Sequence, residues 1–285
     1  MWGAMCLKTN KNPLSEAPVA EPLDENLILS HLNQAITQSL SQIIILGATE
    51  STNSHLLGLC QQSMQSAIVC LAESQSKGRG RRGNHWISPA GHNVYLSMSW
   101  RFPVHLQDLS GLSLAVGLAI TRALKIHQLN GLSLKWPNDV YCRGKKLAGI
   151  LIDIVDTTDH DCLVVIGVGL NRWIDAASST LIDRQWIDLY SVMGNAMPSR
   201  NQLIATIIRH LVAVITEFEI EGFAGFCDEW TDSDHLLGQQ IVLTAGNQII
   251  HGAARGVSDA GLLMIEVQPG RVQSYSIGEV VLARQ

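Results

Sequence analysis

Gly78-Arg79-Gly80-Arg81-Arg82-Gly83-Asn84-His85-Trp86-Ile87-Ser88-Pro89 is the stretch whose reading decides the fold of this 285-residue chain. Its glycines match the G-x-G-x-x-G dinucleotide fingerprint, and they follow the apolar run Ile68-Val69-Cys70-Leu71-Ala72, which has strand character. A dinucleotide loop must open directly into a helix whose free N–H groups hold the pyrophosphate; here Pro89 forbids one. The loop instead offers charge. Glycines let a ligand approach the backbone closely, while Arg79 and Arg81 can grip phosphate or carboxylate oxygens with two N–H groups each. Taken alone, the run reads equally well as a solvated surface turn.

A second basic island, Arg143, Lys145 and Lys146, follows Lys135-Trp136-Pro137-Asn138-Asp139 and opens a strand over residues 147–155. Lys146 stands at the strand's mouth beside small residues, where it can reach out of an apolar sheet; the plain alternative is a surface lysine in a hairpin turn. These islands sit in a chain of formal net charge −5, which argues against wholesale nucleic-acid binding and for a small anionic ligand. The composition, 46% hydrophobic and 16% charged, with apolar segments read as too short or too interrupted to span a bilayer, indicates a soluble globular protein. No signal-peptide core follows Lys8 and Lys11, and the six cysteines form neither a Cys-x-x-Cys pair nor a zinc-spaced cluster. A cytoplasmic protein with reduced, mostly buried thiols is expected.

Residues 1–22 lack periodicity and read as a loose tail without chemistry. A weak helical pattern over residues 26–40 leads into the strand Ile43-Ile44-Ile45-Leu46, and Ser51-Thr52-Asn53 begins a short helix. Val94, Leu96, Met98 and Trp100 alternate with Tyr95, Ser97 and Ser99, the pattern of a strand with unlike faces. Leu112, Val116, Ala119, Ile120 and Leu124 share a helical stripe. Strands are expected over 132–136 and 162–170, a mobile polar loop from Asp175 to Thr180 within an aperiodic stretch, and a long helix from Gln202. From Leu237 onward, short alternating runs broken by Ala245-Gly246-Asn247, Asp259-Ala260-Gly261 and Pro269-Gly270 have the rhythm of a small antiparallel barrel of about fifty residues.

Ser51-Thr52-Asn53, Gln75, the glycine loop with Trp86 and Ser88-Pro89, Lys135-Trp136-Pro137-Asn138-Asp139, Lys146-Leu147-Ala148-Gly149-Ile150 and Gly167-Val168-Gly169-Leu170-Asn171 together resemble the motif series of biotin protein ligases, in order and at similar spacing. Each motif is weak alone; several in register are specific. The resemblance implies an α+β fold: a mixed-sheet, class II synthetase-like biotin ligase catalytic domain at residues 23–235 and a C-terminal SH3-like β-barrel at 236–285. It implies an ATP-dependent ligase that makes biotinyl-5′-AMP and passes biotin to a lysine of a biotin carboxyl carrier protein, with ATP and biotin as substrates and Mg²⁺ as companion ion.

By the same resemblance, Ser51, Thr52, Asn53 and Gln75 line the pocket for biotin's ureido ring, joined by Arg79, Gly80, Arg81, Lys146 and Gly149. Polar side chains suit a planar urea in an apolar slot. Arg79, Arg81 and Lys146 are the implied catalytic cations; Trp86, Asn138, Asp139, Asn171 and Trp186 are the implied nucleotide contacts, with the loop before Trp186 ordering over adenine. Plainer readings stand beside these: Ser51-Thr52-Asn53 caps a helix, the tryptophans are core, and Asn138 and Asp139 form a turn. The metal ligands are unassigned. Fewer than about fifty residues precede the first strand, so the winged DNA-binding module of larger members is not expected, nor DNA or membrane binding, while a homodimer is compatible. Arg284 falls one position late for the family's terminal arginine. Two rivals stay open: a lipoate or octanoate ligase or transferase, and a non-catalytic biotin sensor.

Overall fold

The computed structural model describes residues 18–283; residues 1–17 and 284–285 lie outside the described residues, as do most of the tail reading and the ATP question attached to Arg284. Two short helices, α1 (Glu25–Ser30) and α2 (Gln34–Ser39), replace the single helix expected over 26–40. The break comes from capping: Asp24 and Asn33 each accept a backbone N–H three residues on, so each starts its own helix. Strand β1 (Gln42–Leu46), helix α3 (Thr52–Ser63) and strand β2 (Ile68–Ala72) follow as expected.

Strand β3 (Val94–Phe102) departs from its expected unlike faces, because nearly all of it is buried. Val94, Leu96 and Met98 pack with helix α4 (Leu112–Ile126), while Ser97 and Ser99 on the other face are covered in turn. The apolar stretch Leu106–Ile126 is by length and composition able to cross a membrane, contrary to the expectation; most of it is buried in the protein core. Beyond it, β4 (Leu132–Lys135) pairs with β5 (Asp139–Cys142), a strand hidden in the sequence by its four-residue length, then come β6 (Lys145–Thr157) and β7 (Cys162–Leu170).

The large sheet runs β1-β2-β3-β7-β6-β5-β4, with β1 parallel to β2 and the other neighbours antiparallel. The polar loop after β7 is ordered locally into α5 (Ala176–Ser179), capped by Asp175, and α6 (Leu189–Met193), capped by Asp188. Helix α7 (Arg200–Glu221) lies with α4 on one sheet face; α3 lies on the other, over Leu163 and Val165. Helix α8 (Cys227–Ser233) then leads to the antiparallel sheet of β8 (Gln240–Ala245), β9 (Gln248–Val257), β10 (Leu263–Gln268), β11 (Arg271–Tyr275) and β12 (Glu279–Leu282), an SH3-like unit ordered β11-β10-β9-β8-β12. Trp136 donates its indole N–H to Gly261 O at 3.1 Å, tying the second unit to the first beside the cavity.

The part of the expected loose tail that is described is anchored. Glu21 accepts from Arg172 Nη2 and from the backbone N–H of Arg200, both at 2.6 Å, because these two arginines are buried and need anionic partners. Glu73 completes the cluster by pairing with Arg200.

Candidate active site

On the sheet face that carries α3, the floor beside Trp86 and Asn53 is made of glycine. Gly149 pairs with Gly169, and Gly167 with Leu151, across β6 and β7. A Cβ at Gly169 would stand 2.5 Å from Trp86 Cε2, and one at Gly149 3.0 Å from Trp86 Cζ3, so these glycines let the indole lie on the sheet. Gly167 makes the same room for Asn53. Above this floor opens a cavity of about 1020 Å³, lined by each residue to which the resemblance gives a biotin, nucleotide or catalytic role: Ser51, Thr52, Asn53, Gln75, Arg79, Gly80, Arg81, Trp86, Asn138, Asp139, Lys146, Gly149, Asn171 and Trp186.

At one end is a polar pocket. Ser51 caps α3, accepting from Ser54 N, so the capping role and a place in the cavity coexist. The backbone N–H of Thr52 donates to Gln75 Oε1 at 2.8 Å, and Gln75 Nε2 donates to Ser88 Oγ at 2.9 Å. Ser97 Oγ lies 2.8 Å from Thr52 Oγ1 and donates to Asn53 Oδ1 at 2.6 Å.

The glycine loop is a tight hairpin. Trp86 N donates to Gly78 O and Gly80 N to Asn84 O, with Arg82 in the left-handed region at φ 55° and Gly83 at φ 74°. This geometry separates the two arginines. Arg79 forms a bidentate pair with Asp153 of β6, at 2.8 and 3.1 Å. Arg81, by contrast, is free of so close a carboxylate partner among the described residues; burial, reinforced by neighbouring Arg82, lowers its pKa, while Asp139 and Glu279 pull the other way.

Opposite the loop, Lys146 Nζ lies 2.6 Å from Asp139 Oδ1 and 5.4 Å from the Trp86 ring centroid. The segment before α6 runs alongside: Lys146 N donates to Gln185 O, and Ile187 N donates to Lys146 O. Asn171 Nδ2 donates to Ile187 O and Asn138 Nδ2 to Ile150 O, so both hold the backbone around the cavity. The Trp86 indole N–H is buried without a partner among the described residues.

The structure adds cavity residues that were given no site role from the sequence: Lys135, Tyr141, His235 and Glu279. Tyr141 stacks on His235 with centroids 4.9 Å apart, and Lys135 Nζ stands 5.4 Å over the Tyr141 ring. Burial, then the charge of Lys146, lowers the Lys135 pKa against the opposing pull of Asp139, and burial raises Tyr141 to about 12. Glu279 comes from the C-terminal sheet, where no sequence spacing places it near β4. Asp153 did leave a signal, an acid in the middle of the apolar run of β6.

Residues 46–171 match the biotin/lipoate A/B protein ligase family, and residues 236–283 match the biotin protein ligase C-terminal domain. The bifunctional ligase/repressor of Escherichia coli is 35% identical over 240 residues, 84% of this chain and 74% of that protein. The biotin–[acetyl-CoA-carboxylase] ligase of Mycobacterium tuberculosis is 32% identical over 274 residues, 92% of this chain and 97% of its own. Among solved structures, the biotin protein ligase of Aquifex aeolicus in complex with biotin and ATP superposes with a TM-score of 0.70 at 26% identity, covering 86% of this chain and all of the other.

Proposed function

The chain belongs to the biotin protein ligase family, and from that premise we propose that its cavity is where biotin is activated by ATP and passed on to a carrier protein. The protein is an ATP-dependent ligase that biotinylates through biotinyl-5′-AMP. One observation carries the assignment of residues: the polar pocket, the glycine loop, Lys146 and the segment before Trp186 all line one cavity.

In this reading biotin's ureido edge meets Ser51, Thr52, Asn53 and Gln75, and its chain runs over Gly149 toward Lys146. The carboxylate, with a pKa near ~4, is ionised at neutral pH and attacks the α-phosphorus without a general base. What the reaction needs is fixed positive charge where phosphoryl oxygens gather negative charge, and Lys146 and Arg81 supply it from a partly buried site. Arg79 contributes chiefly by anchoring the loop, since its guanidinium is already paired with Asp153. Trp86, Asn138, Asp139, Asn171 and Trp186 frame the nucleotide. The second step is attack of a carrier lysine amine on the mixed anhydride, with AMP leaving.

No cluster of three potential metal ligands exists among the described residues. Magnesium in this proposal arrives on the ATP phosphates, with Asp139 the carboxylate paired to Lys146 in the cavity. We assign residues 23–235 to a catalytic domain and 236–285 to a C-terminal domain that lends Glu279 to the cavity. The partner is a biotin carboxyl carrier domain in the cytoplasm; the net charge of −5 speaks against a role on DNA or anionic membranes. A homodimer joined at a sheet edge is consistent with this proposal.

Thermal unfolding with added acids tests the substrate choice. Biotin raises the melting temperature, and biotin with MgATP raises it further. Stabilisation by lipoate but not by biotin would overturn it.

A further inference from the structure

Asp153 lies on β6 between Ile152 and Ile154, and its carboxylate gathers three N–H groups from two different parts of the cavity. Oδ2 accepts from Arg79 Nη1 at 2.8 Å and from Asn53 Nδ2 at 3.0 Å, and Oδ1 accepts from Arg79 Nη2 at 3.1 Å. The side chain is only 17% exposed, so these charge-assisted bonds are partly shielded from water.

On the loop side, the pair fixes the hairpin at its base. Arg79 is bridged to His85 across the turn and Gly80 N is bonded to Asn84 O, so holding Arg79 also holds the tip that carries Arg81. On the pocket side, Asn53 is wedged over Gly167, where no Cβ would fit, and takes the Ser97 hydroxyl on Oδ1. From there contacts continue through Thr52 to Gln75. A hydrogen-bonded path thus runs from Arg79 of the loop to the ureido pocket, and the Asp153 carboxylate joins its two halves.

We propose that Asp153 is a positioning residue that couples the glycine loop to the biotin pocket: it seats Arg79 so that Arg81 faces the cavity, and orients Asn53 with the same carboxylate. This rests on the function proposed above. It assigns the two loop arginines different work, Arg79 as anchor and Arg81 as the cation that meets substrate.

The test measures two quantities on the full chain, the KM for biotin and the rate at which preformed biotinyl-adenylate escapes into a chase of unlabelled biotin and ATP. Asp153→Asn raises both by roughly tenfold, the scale of a lost charge-assisted bond, with a smaller change in kcat. Asp153→Glu, which keeps the charge, recovers most of the loss. Arg79→Ala speeds escape similarly, and adding Asp153→Asn to it changes escape by less than about twofold, because both act through one contact. Independent, multiplying effects in the double variant, or wild-type escape from Arg79→Ala, would overturn the proposal; the second outcome needs no folded Asp153 variant. A wild-type chain that forms no adenylate would instead refute the function itself.

Discussion

Lys146 Nζ and Asp139 Oδ1 stand 2.6 Å apart in the cavity wall, each side chain about 15% exposed, with the Trp86 ring 5.4 Å from the ammonium. The pair holds a cation ready beneath the glycine loop. Asp139 fixes its position, and the indole face supports its charge without offering it a proton acceptor.

Replacing Lys146 with Ala should therefore remove chemistry far more than structure. Adenylate formation falls by at least ~10²–10³-fold, the scale of losing a fixed charge at a developing anion. The stranded Asp139 carboxylate costs about 1–3 kcal/mol, leaving the chain folded by circular dichroism. Lys146→Arg does not restore the rate, since a planar guanidinium cannot occupy an ammonium's place. A normal adenylate yield from Lys146→Ala would contradict its role.

Gly169→Ala tests the glycine floor. The new Cβ would sit 2.5 Å from Trp86 Cε2 and 2.7 Å from Nε1, so the indole must lift off the sheet. Overpacking of this kind costs about 1–3 kcal/mol, readable in urea unfolding, and the displaced ring changes the tryptophan emission. Unaltered stability and emission would mean that the floor is not closely packed.

Much of this was legible in the sequence and some was not, for physical reasons. Pro89 and the basic loop excluded a dinucleotide fold because they act locally, and the residues given biotin, nucleotide or catalytic roles in advance line one cavity. Burial of β3 on both faces was not legible, because alternation reports side-chain polarity and not what covers the polar side: Ser97 is buried where it serves Asn53 and Thr52. The place of Glu279 was not legible, since only the docking of the C-terminal sheet brings it toward Lys135 of β4. The Arg79–Asp153 pairing spans 74 positions and depends on how the hairpin lies, although an acid among isoleucines in β6 was a visible clue.

The anchoring of the segment before α1 makes a separate prediction. Glu21→Gln leaves Arg172 and Arg200, both buried, short of one negative charge. Discounted for the partial exposure of Glu21, the loss is about 1–3 kcal/mol, measured as a lower urea midpoint at unchanged slope. A midpoint equal to wild type would show that the segment contributes nothing to the cluster.

Asp234, at the junction of α8 and the C-terminal sheet, makes stability depend on pH. Burial raises its pKa from 3.8 to about 6. A carboxyl raised in the folded state binds its proton more tightly there than when unfolded. Its favourable contribution is complete below about 4 and is lost as pH rises through about 6. Asp234→Asn, which keeps the acceptor for Leu236 N–H, should therefore be more stable than wild type at pH 7 by about 1 kcal/mol after allowing for solvent screening. The advantage should vanish near pH 4. An advantage independent of pH would remove ionisation as its cause.

The most direct measurement is incubation of the chain with biotin, ATP, Mg²⁺ and a biotin carboxyl carrier domain, read by intact-mass and peptide mass spectrometry. The predicted result is one biotinyl group on one carrier lysine, dependent on ATP and lost with Lys146→Ala. A carrier left unmodified while the chain binds biotin, or a carrier modified equally by the Lys146→Ala variant, would contradict the account.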